Sequence, residues 1–100
     1  MAEEFRAQYD ELEKVAATFA KQSQAIQSTL QKVKGSMNNL KSGWEGRGSD
    51  AFFSEMGSVV LPATTRLQNA LQEASSVTKT IVQTVKTAEQ EASAPFKAQG

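Results

Sequence analysis

The chain carries few residues that could do covalent or metal chemistry. Its 100 residues include no histidine and no cysteine, which removes the commonest general base, the thiolate nucleophile and the ligands of soft metal sites. Carboxylates are present, 11 Asp and Glu in all, but they fall mainly on helix faces expected to be wet, and no Asp-rich loop of the calcium-binding kind occurs. Residues 43–48, GWEGRG, space their glycines as GxxGxG; with no strand before them and no Walker lysine, they do not form a phosphate cradle. No catalytic residue, metal site or cofactor is expected, and the chain reads as a non-enzyme. What remains is Trp44, the only tryptophan, set among glycines in the middle of the sequence.

The elements that hold Trp44 follow from composition and pattern. Hydrophobic content of 39% with 22% charged residues is that of one small globular domain. Lys plus Arg equals Asp plus Glu at 11 each, so no basic field exists to hold nucleic acid or an anionic membrane surface. The start, MAEEFRAQYDELEK, is acidic and lacks the basic and apolar regions of a secretory signal. The uncharged run MGSVVLPATT, residues 56–65, is flanked by Glu55 and Arg66 and has no basic face. It is read as a buried contact rather than as a membrane-inserting segment.

Two amphipathic helices are predicted. In the first, Phe5, Tyr9, Leu12, Ala16, Phe19, Ser23, Ile26, Leu30, Val33, Met37, Leu40 and Trp44 recur at steps of three and four, the seam of a helix packed along a neighbour. Ser23, its only polar member, reads as a tolerated gap. This helix is placed at about residues 4–42 and the turn at residues 43–48. Ser49 or Asp50 is expected to cap a second helix over about 50–92. Its seam runs Phe52, Met56, Val60, Ala63, Leu67, Ala70, Ala74, Val77, Ile81, Val85 and Ala88. Pro62 should kink it, with the seam keeping its phase, and a flexible tail is expected over about 93–100.

The fold class is therefore all-α: an antiparallel helix-turn-helix hairpin. Such a hairpin leaves half of each apolar stripe in water, so it is expected to assemble as a dimeric four-helix bundle. The seam assigned to hairpin and dimer contains Phe19, Ile26, Leu30, Val33, Met37, Phe52, Met56, Val60 and Leu67. Balanced charge permits self-association without repulsion, and a homodimer is favoured, with a heterodimer left open. Trp44 itself has two readings. It closes the core beside a turn whose glycines at 43, 46 and 48 supply positive φ and close approach, or it is a surface that a partner reads.

Trp44-Glu45-Gly46, midway along a chain of this length between two long amphipathic helices, resembles the WXG motif of the small ESAT-like proteins, substrates of type VII (ESX-type) secretion. Residues GSDAFFSEM just after it resemble the family too, and the likeness spans nearly the whole chain. The resemblance implies a dimer, cytoplasmic before export, that is secreted folded without a cleavable signal peptide. It also implies engagement by an FtsK/SpoIIIE-type motor ATPase. Many members carry a Tyr-x-x-x-Asp/Glu export signal near the carboxyl end. Here that position is Val85, four residues before Glu89, and the looser pattern Val85, Glu89, Ala92, Phe96 is the candidate signal. A related WXG protein is the alternative partner if the chain borrows a tyrosine signal. A cytosolic adaptor that carries a larger effector to the motor, and a membrane-active hairpin, are the other functions considered.

Overall fold

The first forty residues contain no proline and one glycine, Gly35, among Ala, Gln, Lys, Glu and Leu, side chains that lose little freedom in a helix. The computed structural model describes residues 2–99, with side chains over 6–92. In it this stretch is one helix, α1 (Ala2–Lys41). The helix end is closed locally. The N–H groups of Gly43 and Trp44 donate to the Leu40 carbonyl at 3.2 and 3.0 Å, and Ser42 Oγ donates to the Asn39 carbonyl at 2.7 Å, which pairs carbonyls that a helix terminus leaves open. The chain reverses through residues 42–46 and continues as α2 (Arg47–Glu55), a π-helical turn (Met56–Val60) and α3 (Leu61–Gln99). Phe5, Pro95, Phe96 and the expected flexible tail lie outside the residues whose side chains are described.

α3 returns antiparallel along α1, so the chain is an all-α helical hairpin with no strand among the described residues. It is a rod of 79 × 18 × 16 Å with a radius of gyration of 22.5 Å, where a compact domain of this length has about 13 Å. Along α1 the buried positions are Tyr9, Ala16, Ser23 and Leu30, each seven residues after the last, with Phe19, Ile26, Val33 and Met37 half-buried between or beyond them. The seven-residue recurrence is a coiled-coil seam.

The middle of that seam is small and polar rather than greasy. Ser75 and Ala16 are fully buried, and Ser75 Oγ donates to the Ala16 carbonyl at 2.7 Å. Ser23 returns the gesture from α1, donating to the Gln68 carbonyl of α3 at 3.0 Å. Ser23 is thus not a gap. Small side chains let the two backbones approach closely enough for each helix to bond the other's main chain, and each such bond contributes about 1 kcal/mol net.

On the second arm the structure departs from the sequence pattern in two ways. Neither Ser49 nor Asp50 caps α2. Gly46 does, at φ 113°, ψ −175°, and the Asp50 N–H bonds its carbonyl at 3.0 Å. Nor does the seam keep its phase. Phe52 and Met56 are half-buried as expected, but the next half-buried position is Leu61, five residues on. Beyond it the buried or half-buried residues are Pro62, Thr64, Gln68, Leu71, Ala74, Ser75, Thr78, Val82 and Lys86, among which Ala74 is the one member of the expected seam. Val60 and Leu67, placed in the seam by the pattern, are exposed, Leu67 to 52%, and so are Val77, Ile81 and Val85. The cause is the π turn, in which the Leu61 N–H bonds the Met56 carbonyl five residues back and takes up one more residue than an α turn would.

Leu30 is the largest aliphatic side chain buried in the α1 seam. Leu30→Glu sets a carboxylate there without a partner and should destabilise the hairpin by about 3 kcal/mol or more. Urea unfolding followed by circular dichroism measures this, and an unchanged midpoint would overturn the assignment of the seam.

Candidate functional site

The reversal is shaped by one residue. Gly46 has φ +113° with an extended ψ, a region that essentially only glycine enters. The other glycines here do different work. Gly43 and Gly48 have no positive φ, and Gly48 lies within α2, where an added Cβ would meet Trp44 Cζ2 at an ordinary 3.6 Å. The expectation of positive φ at all three therefore holds only for Gly46.

Gly46 turns the chain so that α2 comes back over Trp44. The indole faces Phe52 at 5.6 Å and Phe53 at 6.1 Å between ring centroids, both tilted, and the two phenyl rings meet edge to face at 5.2 Å. These are the separations and tilts that aromatic quadrupoles favour. Lys41 Nζ lies 5.8 Å from the Phe53 centroid, within cation–π range. Ser49, buried beneath the turn, donates from Oγ to the Trp44 carbonyl at 2.9 Å and so fixes the tryptophan backbone. Trp44 nevertheless stays 36% exposed, and Glu45 beside it is exposed. The ring is therefore both packed and presented. An open cleft next to it is lined by Asn39, Leu40, Gly43 and Trp44.

The far end of the rod holds a second cluster. Tyr9 Oη donates to Glu89 Oε2 at 2.5 Å. Lys86 Nζ lies 5.4 Å from the centre of the Tyr9 ring and pairs with Glu13 Oε1 at 2.9 Å. The Tyr9 hydroxyl titrates above its ordinary value, first because it is bonded to Glu89, then through burial and through the Glu89 charge. Of the candidate signal residues, Val85 and Ala92 are exposed, Glu89 is held by Tyr9, and the Phe96 side chain lies outside the described residues.

A family model described as WXG100, proteins of 100 residues with WXG, matches residues 4–90. The chain belongs to the WXG100 family. Its members are small secreted helical proteins rather than enzymes, generally exported by type VII systems without signal peptides, and they typically form dimers. The match covers Trp44, Glu45, Gly46, Val85 and Glu89 and ends before Ala92 and Phe96. No curated protein and no solved structure matches this WXG100 chain. Among the described residues no helix is long and apolar enough to cross a membrane.

Three contacts in these clusters escape a reading of the sequence. Phe53 lies off the seam that claims Phe52, yet a double aromatic next to a tryptophan turn marks both rings as packing partners. Ser49 is placed by its hydroxyl under the turn rather than at a cap. Tyr9 and Glu89 are eighty residues apart in the chain, and only the antiparallel return of α3 brings them together.

Gly46→Ala should cost about 1–3 kcal/mol of stability through backbone strain, whereas Gly48→Ala, inside α2, should be neutral or stabilise by up to about 1 kcal/mol. Chemical unfolding of the two variants side by side checks the contrast, and equal losses would overturn it. Because the fold favours the neutral phenol, the Tyr9 contact contributes in full below the ordinary tyrosine value and is lost as pH rises through the raised one. An alkaline titration of this only tyrosine by ultraviolet absorption should show a midpoint above that of free tyrosine. Glu89→Gln should lower it, and a midpoint insensitive to Glu89→Gln would refute the contact.

Proposed function

We propose that this WXG100 protein is exported folded, as a homodimer, by a type VII secretion system and acts through protein contacts, with no reaction of its own. The observation that carries the pairing is surface. The chain exposes 7635 Å² at 10.8 kDa, where a compact monomer of that mass exposes about 5,500 Å². The excess, about 2,000 Å², is of the order that each partner buries in a large obligate interface. It is also apolar in the right place. On α1, Leu12, Phe19, Ile26 and Val33 each stand three residues past a buried position; on the second arm the exposed Val60 of the π turn and Leu67, Val77, Ile81 and Val85 of α3 each stand one residue before a buried or half-buried position. In an antiparallel pair both offsets turn to the same side of the rod, so one flank is lined by apolar side chains of both helices. A second copy covers it without charge repulsion, since the net charge is zero.

The recognition surface for the secretion motor is proposed to combine Trp44, Glu45 and Gly46 with Val85, Glu89, Ala92 and Phe96. Within one hairpin these groups stand at opposite ends. Glu89 is bonded to Tyr9, and Tyr9 is separated from Trp44 by about 50 Å of helix. A joint surface therefore needs two copies packed head to tail, which sets one chain's turn beside the other's Glu89, twice over by symmetry. An FtsK/SpoIIIE-type ATPase is the proposed reader.

Light scattering of the purified protein should give twice the chain mass, and a single-chain mass would remove the homodimer. Secreted and cell-retained protein should then be compared for Trp44→Phe, Glu89→Ala and Phe96→Ala, with Tyr9→Phe as the control that frees Glu89 but keeps its carboxylate. Retention of folded dimers by the first three, with Tyr9→Phe still exported, is the expected result. Normal secretion of all three would leave Trp44 as packing and the tail as tail.

A further inference from the structure

The register of α3 holds a puzzle that dimerisation alone does not resolve. From Phe52 the apolar residues of the second arm continue through Val60, Leu67, Val77, Ile81 and Val85 in an unbroken sequence of three- and four-residue steps. An uninterrupted α-helix would lay that stripe along α1. The structure instead lays down the neighbouring stripe, including Thr64, Gln68, Ser75, Thr78 and Val82, displaced by one residue along the arm. A hairpin optimising its own burial would choose the apolar stripe, so the observed register spends hydrophobic contact on the outside.

The displacement begins at the π turn. Met56, its first residue, is half-buried, the rest of the turn is exposed, and Leu61 directly after it is the next half-buried position, joined to Met56 by the Leu61 N–H to Met56 carbonyl bond. A five-residue bond ring accommodates the extra residue and rotates everything beyond it by about 100° relative to a continuous helix. The turn also ends just before Pro62, which has no N–H to give to Ser58. Once the shift has occurred, the serine bonds fit. Ser75 reaches the Ala16 carbonyl and Ser23 the Gln68 carbonyl, neither of which the unshifted register would align.

We propose that the extra residue held in the Met56–Val60 π turn selects between two registers of α3 on α1 and, by selecting this one, creates the apolar flank on which a second copy docks. The proposal rests on the homodimer reading for its partner, but the register can be tested without it. In the other register the same stripe packs on α1 and the flank is polar, so the extra residue decides whether the apolar surface lies inside one hairpin or between two.

The chain has no cysteine, so disulfide trapping reports the register directly. Ala16→Cys with Ser75→Cys joins the two fully buried facing positions, and Ala16→Cys with Ala74→Cys is the pair for the unshifted register. Under mild oxidation the first full-length variant should form an intramolecular disulfide and the second should not. One alanine inserted after Ser58 should reverse that preference and weaken dimerisation at least tenfold by light scattering across a dilution series. Deletion of Ser58, which removes the extra residue and lets the helix run on as α, should keep the 16–75 pair and the dimer. A 16–75 disulfide persisting after the insertion, or a shift from Ser75 to Ser76 after the deletion, would overturn the proposal. Should the insertion unfold the chain, the deletion decides alone. A wild-type protein that traps the 16–75 pair yet scatters as one chain refutes the dimer and leaves the register standing.

Discussion

Two helices lying side by side can bury only the strip each presents to the other, and here that strip is narrowed further by being small and polar at its centre. Ala16 and Ser75 meet with no room to spare, and the helices are held as much by hydroxyl-to-backbone bonds as by apolar contact. This brings the axes close and leaves Leu67, Val77, Ile81 and Val85 outside. A hairpin of this kind is well specified in register, because the serine bonds tolerate little sliding, but poorly supplied with core. Its elongated shape and its exposed aliphatic flank share that origin.

The glycine turn answers to a different constraint. Gly46 permits a reversal short enough that α2 returns over Trp44, and the aromatic trio then replaces the core that the hairpin lacks at this end. Trp44 serves structure and display together because a three-ring cluster on the tip of a rod has no layer above it. The open end is closed by polar means, with Tyr9 on Glu89 and Lys86 between Tyr9 and Glu13. The exposed Lys86–Glu13 pair contributes less than about 1 kcal/mol, so this end is held mainly by the packed tyrosine.

Much of this is legible in the sequence, and the part that is not has one physical cause. Leu30, Phe19, Ile26, Val33 and Met37 fall on the α1 seam where three-and-four spacing puts them, and a Trp-x-Gly between two long amphipathic segments marks the reversal. Helix 2 misleads because its apolar spacing is regular while its backbone is not. Val60 and Leu67 are periodic with Phe52 and Met56, yet the π turn intervenes, and only Pro62 and Gly57 hint at an irregularity. Ser23 looks like a flaw in an apolar series for the same reason that Tyr9–Glu89 is invisible. Each is defined by what the other helix places opposite it, and that is known only once the register is known. Ser49 resembles a cap by type and position, but the glycine three residues earlier has already started the helix.

The placement of the two chromophores has an optical consequence. The protein's only tyrosine and only tryptophan are separated by about 50 Å of helix, too far apart for excitation to hop from phenol to indole within one chain, because that transfer falls with the sixth power of distance. Each ring therefore reports its own end of an isolated hairpin as an independent emitter. Where two rods lie head to tail, every tyrosine gains a neighbouring tryptophan from the other copy, and quenched phenol emission becomes a built-in gauge of which way round the copies lie.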